Sequence, residues 1–145
     1  MLGEPALFDT VFIDAPCSGT GTMRRHPEIP WRLTEKDVTV ELPKLQLTML
    51  KEGAARVAAG GELIYATCSV FDEENAQVVD AFLTSPEGAC FSVAPLSEAQ
   101  ILQLPEFEQA KKLVAVRQNA RGLFQSVPVN ADSYDGHFCA RLVRK

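Results

Sequence analysis

The stretch FIDAPCSGTGTMRR, residues 12–25, sets an apolar run against a proline, a cysteine and two glycines. Widened upstream to LFDTVFID, it reads as a buried β-branched and aromatic strand ending at Asp14, followed at once by the turn residues of APCSGTG. A second stretch, LIYATCSVFDEEN at residues 63–75, has the same layout: an apolar strand, then Cys68, then a helix start. In open parallel sheets ligands bind beyond the carboxyl ends of the strands, and consecutive parallel strands are commonly neighbours. Cys17 and Cys68 are therefore expected at the mouth of one crevice.

The rest of the chain fits an α/β pattern. TEKD, residues 34–37, has the form of a capping box and should open a short helix before Pro43. A longer helix is expected from about Lys44, with Leu47, Leu50, Ala54, Val57 and Ala58 on one face and Gly60-Gly61 as its stop. Beyond Cys68, Asp72 reads as an N-cap, Glu73 and Glu74 suit a first helical turn, and Ala76, Val79, Phe82 and Leu83 form an apolar stripe. Strand, helix, strand, helix in this order implies a parallel sheet with right-handed crossovers. Residues 87–112 lack a clear period and read as a surface excursion with one short helix. KLVAV (112–116) and HFCARLVRK (137–145) read as two further strands, the second entered through the turn SYDGH.

Composition sets limits on function. A chain of 145 residues with 46% hydrophobic content is ordinary for one soluble domain. No apolar run approaches the roughly 20 residues of a membrane span, and MLGEPALFDT has no secretory signal character, so a cytoplasmic location is expected. The four cysteines (Cys17, Cys68, Cys90, Cys139) include no C-x-x-C pair and no histidine at ligand spacing, which argues against zinc. A net charge of −5 gives no global attraction to a polyanion, so nucleic-acid contact would need a local basic patch.

On residue chemistry alone Cys90 and Cys139 read as small buried hydrophobes. Cys17 remains open to two readings, structural or functional: Pro16 stiffens the backbone before it, and Gly19 and Gly21 allow close approach to a ligand. Neither the P-loop ending nor the G-x-G-x-x-G fingerprint is present. Cys68 stands where helix-terminal N–H groups lower a thiol pKa. Asp14 either caps a turn or serves the site. A cysteine hydrolase using His26 or His137 as base is a further class, disfavoured because neither histidine has a triad context.

DAPCSGTG at 14–21 with ATCSV at 66–70 resembles motifs IV and VI of the Sun/NSUN-type RNA cytosine-5 methyltransferases, above all the bacterial branch acting on 16S ribosomal RNA. The similarity runs on through RRHPEIPWR (24–32), LQLTML (45–50), EEN after motif VI and the terminal SYDGHFCARLVRK, where many members have D-G-F-F for Asp135 to Phe138. It implies a Rossmann-like class I fold using S-adenosylmethionine. It also implies that Cys68 adds to C6 of cytosine and that Cys17 assists release, as or through the base that takes the C5 proton in the family scheme. Asp14 would bond the base edge and, with Pro16, line the pocket near the methyl donor. The DNA-type enzymes invert the two cysteines; the T-C-S context favours Cys68 as nucleophile. Arg24, Arg25, Arg32 and Trp31 either contact backbone and stack a base or form a solvated, partly salt-bridged loop.

The resemblance further implies that residues 1–145 are a partial catalytic domain, from motif IV to the C-terminus, supplying strands four to seven of the family's sheet. The glycine-rich cofactor loop, the ribose acid and the RNA-binding region find no counterpart in the sequence. The strand at 7–13 would then be an apolar edge, for which a homodimer is the expected remedy. A catalytically inactive module that binds RNA or a protein partner is the alternative reading.

Overall fold

A computed structural model describes residues 5–130 and 134–145. The two strands expected to carry the cysteine loops form and pair. β1 (Phe8–Asp14) runs parallel to β2 (Val57–Thr67), with Val11 opposite Leu63 and Asp14 opposite Ala66. Alternation along β2 buries Leu63, Tyr65 and Thr67, the period of a strand with one face inward.

The capping box is real: the Asp37 carboxylate accepts from Thr34 N and Thr34 Oγ1, both at 2.8 Å, and Thr34 Oγ1 accepts from Asp37 N at 3.2 Å. The short and long helices expected on either side of Pro43 nevertheless form one run. A π turn over Asp37–Glu41, with Leu42 N donating to Asp37 O, leads directly into α2 (Leu42–Ala54). The wider turn accommodates a proline that has no N–H to give. Before it lie a 3-10 turn at Thr20–Thr22 and a single α-helical turn, α1 (Ile29–Arg32).

α2 ends at Ala54, not at Gly60-Gly61, and Val57 and Ala58 belong to β2. The glycines serve the strand instead. From Phe8 to Thr10 on β1, the partner strand runs from Val57 to Glu62, and Gly60, at φ 75°, makes the bulge possible. Asp72 does not cap: Asp72–Glu74 is a 3-10 turn without a side-chain cap bond, and α3 (Ala76–Leu83) follows it.

Beyond α3 the chain leaves the expected parallel pattern. β3 (Phe91–Ala94) and three short 3-10 turns occupy the supposed excursion. KLVAV is not a strand but lies in α4 (Glu108–Arg117). Its Lys, Ala, Gln and Glu surroundings favour helix, and the burial is helical too, with Val114 buried and Val116 76% exposed. β4 (Phe124–Ser126) and β5 (His137–Arg144) complete the sheet. The order is β1-β2-β5-β3, with β4 also on β5; among the described residues only the β1–β2 pair is parallel. The sheet is thus mixed. The expected turn SYDGH begins at Ser133, outside the described residues, while its strand forms as read.

Helices cover both faces. Leu50 and Ala54 of α2 and Val79 and Phe82 of α3 pack with Leu63, Tyr65, Phe138, Ala140 and Leu142 of the sheet. On the other face Val114 of α4 joins Phe124, Ala99 and Leu102, with Cys139 against them. β1 is an edge strand whose Phe8 and Phe12 are exposed, as is the preceding Leu7. Among the described residues no helix is long and apolar enough to cross a membrane.

Candidate active site

Because β1 and β2 are parallel neighbours, their carboxyl ends release the two cysteine loops side by side. Ala15 N donates to Ala66 O at 2.9 Å and Gly21 N to Cys68 O at 2.8 Å, so the loops are stitched at both ends. Cys17 Sγ and Cys68 Sγ lie 3.3 Å apart, within hydrogen-bonding distance. The expected meeting of the thiols is therefore observed.

Either sulfur can donate across that contact. Its hydrogen bond from Cys17, above all, holds the Cys68 thiol down at about 7, while the same bond and then burial push Cys17 well above the usual thiol range. The direction of the two shifts makes Cys68 the more readily ionised sulfur. That is the condition for a sulfur nucleophile.

Cys68 opens into a cavity of about 440 Å³ that Asp14, Arg25, Thr22, His137 and Phe138 also line. Asp14, Arg25 and Cys68 thus share one wall system. Cys17 lines a separate hollow of about 260 Å³ with Arg32 and Leu33. Pro16 is exposed, and its carbonyl accepts from Gln46 Nε2 at 3.0 Å. Cys139 also borders the larger cavity, and burial pushes its thiol up to about 11. Cys90 sits half-buried against the main core.

The arginines are engaged. Arg24 and Arg25 both pair with Asp135, at 3.2 and 2.7 Å, and Arg32 pairs with Glu28 at 3.4 Å. Arg25 foremost holds the Asp135 carboxyl below its usual range. Trp31 is 90% exposed. His26 faces Glu28 at 3.5 Å, and among the described residues neither histidine hydrogen-bonds a cysteine sulfur. The hydrolase geometry is absent there, and no cluster of metal-binding side chains occurs among those residues.

Sequence reading missed what organises the loops. Glu74, expected only as an acid of a first helical turn, is fully buried. It accepts from Ser18 N at 2.8 Å, Ser18 Oγ at 2.6 Å, Gln46 Nε2 at 3.1 Å and Ser69 Oγ. Asn75, also buried, accepts from Thr67 Oγ1 at 2.6 Å and donates to Ser69 O at 2.9 Å. The signal available was the polar run S-x-x-x-x-E-N directly after Cys68, with its caps unassigned.

Comparison with known proteins bears on the family and the fold. The sequence pattern of the family described as 16S rRNA methyltransferase RsmB/F matches residues 1–143. Ribosomal RNA small subunit methyltransferase B of Salmonella arizonae is 39% identical over 139 residues, covering 95% of this chain but 27% of that protein. The Citrobacter koseri protein of the same name is 41% identical over the same coverage. The chain therefore spans about a quarter of the length of these relatives. Among solved structures, PH0851 superposes with a TM-score of 0.69 at 35% identity, over 92% of this chain and 26% of that one. NSun6 from Pyrococcus horikoshii matches at a TM-score of 0.65 and 20% identity, over 92% of this chain and 29% of that one, a likeness of fold. On the strength of a match over nearly its whole length, the chain belongs to the RsmB/F family of rRNA methyltransferases.

Proposed function

We propose that this chain is the C-terminal catalytic portion of an S-adenosylmethionine-dependent rRNA (cytosine-5-)-methyltransferase acting on 16S rRNA. The observation that carries the reading is the 3.3 Å approach of Cys17 to Cys68, whose own cavity Asp14 and Arg25 also line. C5 of cytosine is a poor nucleophile until a thiolate adds at C6. Cys68 forms that S–C6 bond, and the electron pair displaced to C5 takes a methyl group. S-Adenosylmethionine, when bound, supplies it. Asp14 fits the cosubstrate: its exposed carboxylate ends β1 on the cavity wall, an anion suited to a sulfonium neighbour. Asp14 and Pro16 would hold the methyl donor, and Asp14 would also bond the base edge. Cys17 assists release: a base reached through it takes the C5 proton, the double bond reforms and Cys68 leaves as thiolate. The target base enters unstacked, which costs least in unpaired RNA. Arg25 would meet RNA phosphate by exchanging Asp135 for it.

Residues 1–145 are read as a partial catalytic domain, with cofactor-loop and RNA-binding parts supplied by further sequence. Calorimetric titration with S-adenosylmethionine tests this directly. Binding is expected only when the chain is extended upstream to the length of its relatives, together with methyl incorporation at C5 of cytosine in 16S rRNA. Methylation at another atom sinks the cytosine-5 reading; tight binding by residues 1–145 alone sinks the partial-domain reading.

The exposed edge of β1, with Leu7, Phe8 and Phe12, supports self-association of this chain through strand pairing. Light scattering should give a dimer mass that falls on dilution, and Phe12→Lys should give a monomer. A concentration-independent monomer would refute it.

A further inference from the structure

The two thiols are not held by their own loops. Each cysteine is followed directly by a serine, Ser18 and Ser69, and both serine hydroxyls donate to one oxygen of Glu74. The other oxygen takes the Ser18 amide and Gln46 Nε2, whose second hydrogen bond goes to the carbonyl of Pro16. Glu74 therefore touches the residue after each cysteine and, through Gln46, the residue before Cys17. Backbone amides complete the lattice, Val70 N donating to Thr20 Oγ1 at 3.1 Å and Phe71 N to Ser69 Oγ at 3.0 Å.

A fully buried carboxylate is costly unless its acceptor sites are filled. In this lattice every donor is a neutral hydroxyl or amide, with no cation among them. Such an arrangement is a poor stabiliser compared with apolar packing of the same volume. What it provides is registry: two loops from different strands keyed to one rigid group.

We propose that Glu74 is the positioning residue of the thiol pair, its buried carboxylate keying the Ser18 and Ser69 ends of the two loops so that Cys17 and Cys68 stay in hydrogen-bonding contact. The catalytic consequence rests on the nucleophile reading above; the geometry itself does not. Two influences of Glu74 on Cys68 have opposite signs, which makes the role separable. Its negative charge lies among the influences that raise the Cys68 thiol, whereas the Cys17 hydrogen bond is the largest that lowers it. Glu74→Gln removes the charge and supplies an amide where the loops need an acceptor. If Glu74 acts only as a nearby charge, the Cys68 midpoint drops; if it positions the pair, the Cys17 bond is lost and the midpoint climbs.

The experiment is iodoacetamide alkylation of the chain against pH, with Cys68 followed by peptide mass. Wild type should show a midpoint near 7. Glu74→Gln should move it towards that of an ordinary thiol and slow alkylation at neutral pH about tenfold. Diamide, which takes two electrons and two protons from the pair as the S–S bond forms, reads the distance independently; its closure rate should also fall about tenfold. Should Glu74→Gln fail to fold, Ser69→Ala removes the Cys68-loop bond to Glu74, together with the contacts of the Ser69 hydroxyl to Phe71 N, Ser18 and Thr20, but leaves the Ser18 and Gln46 bonds to Glu74, and should move both readouts the same way by less. An unchanged or lowered midpoint with unchanged diamide closure, in whichever of the two variants folds, overturns the proposal. Because both readouts need neither RNA nor methyl donor, failure of the methyltransferase reading leaves them standing and is detected separately.

Discussion

Cys68→Ser, in the chain extended to the length of its relatives, is expected to lose methyl transfer by roughly 10³-fold or more and to form no covalent adduct with RNA. The hydroxyl keeps the size of the thiol but is not ionised near neutral pH, whereas the Cys68 thiol is held at about 7. Cys17→Ser should also stop turnover, by about 10²- to 10⁴-fold, the span of a lost proton-transfer group. Its signature differs. Addition at C6 still occurs while release does not, so a protein–RNA species stable on a denaturing gel accumulates. Exchanged phenotypes, with the adduct building up in Cys68→Ser, would make Cys17 the nucleophile and leave release to Cys68, the reverse of the proposed roles.

The second large effect concerns stability. A Cβ on residue 21 would stand 2.1 Å from Gly136 O and 2.7 Å from Cys68 O, both backbone atoms that cannot swing away. Gly21 also donates to Cys68 O and accepts from Gly136 N, each at 2.8 Å, so three segments cross at one point. Gly21→Ala should cost about 3 kcal/mol in urea unfolding. Gly60→Ala is the control: nothing lies within 4 Å of the added carbon there, and only the left-handed φ of 75° opposes it, at about 1–2 kcal/mol. Equal losses at the two positions would mean that the crossing is loose.

The elements legible in the sequence were those whose signals are local. β1 and β2 follow from β-branched runs ended by turn residues, and α3 from the stripe through Val79 and Phe82. The approach of the two thiols was legible too, because parallel neighbours place their loops together. Val57 was misassigned because a helix stop and a strand bulge both use Gly-Gly, and only pairing with Phe8 separates them. Lys112 to Val116 was misread on β-branching, although burial of Val114 alone decides for helix. Glu74 escaped because its partners come from three other segments, and an acid after a strand loop is usually solvated. Whether Arg24 and Arg25 are solvated or paired turns on Asp135, about 110 residues away in the chain.

β5 pairs with β2, β3 and β4 and sits inside the sheet, yet it follows all three of its partners in the chain. As the chain leaves a translating ribosome, Cys17 and Cys68 emerge long before the strand that supplies His137, Phe138 and Cys139 to the Cys68 cavity. Until residues 137–144 arrive, β2 presents a bare hydrogen-bonding side and Tyr65 and Leu63 lack their cross-strand partners Ala140 and Leu142. The core therefore closes through contacts distant in sequence, a slow order of events that leaves the thiols without a finished pocket until β5 arrives.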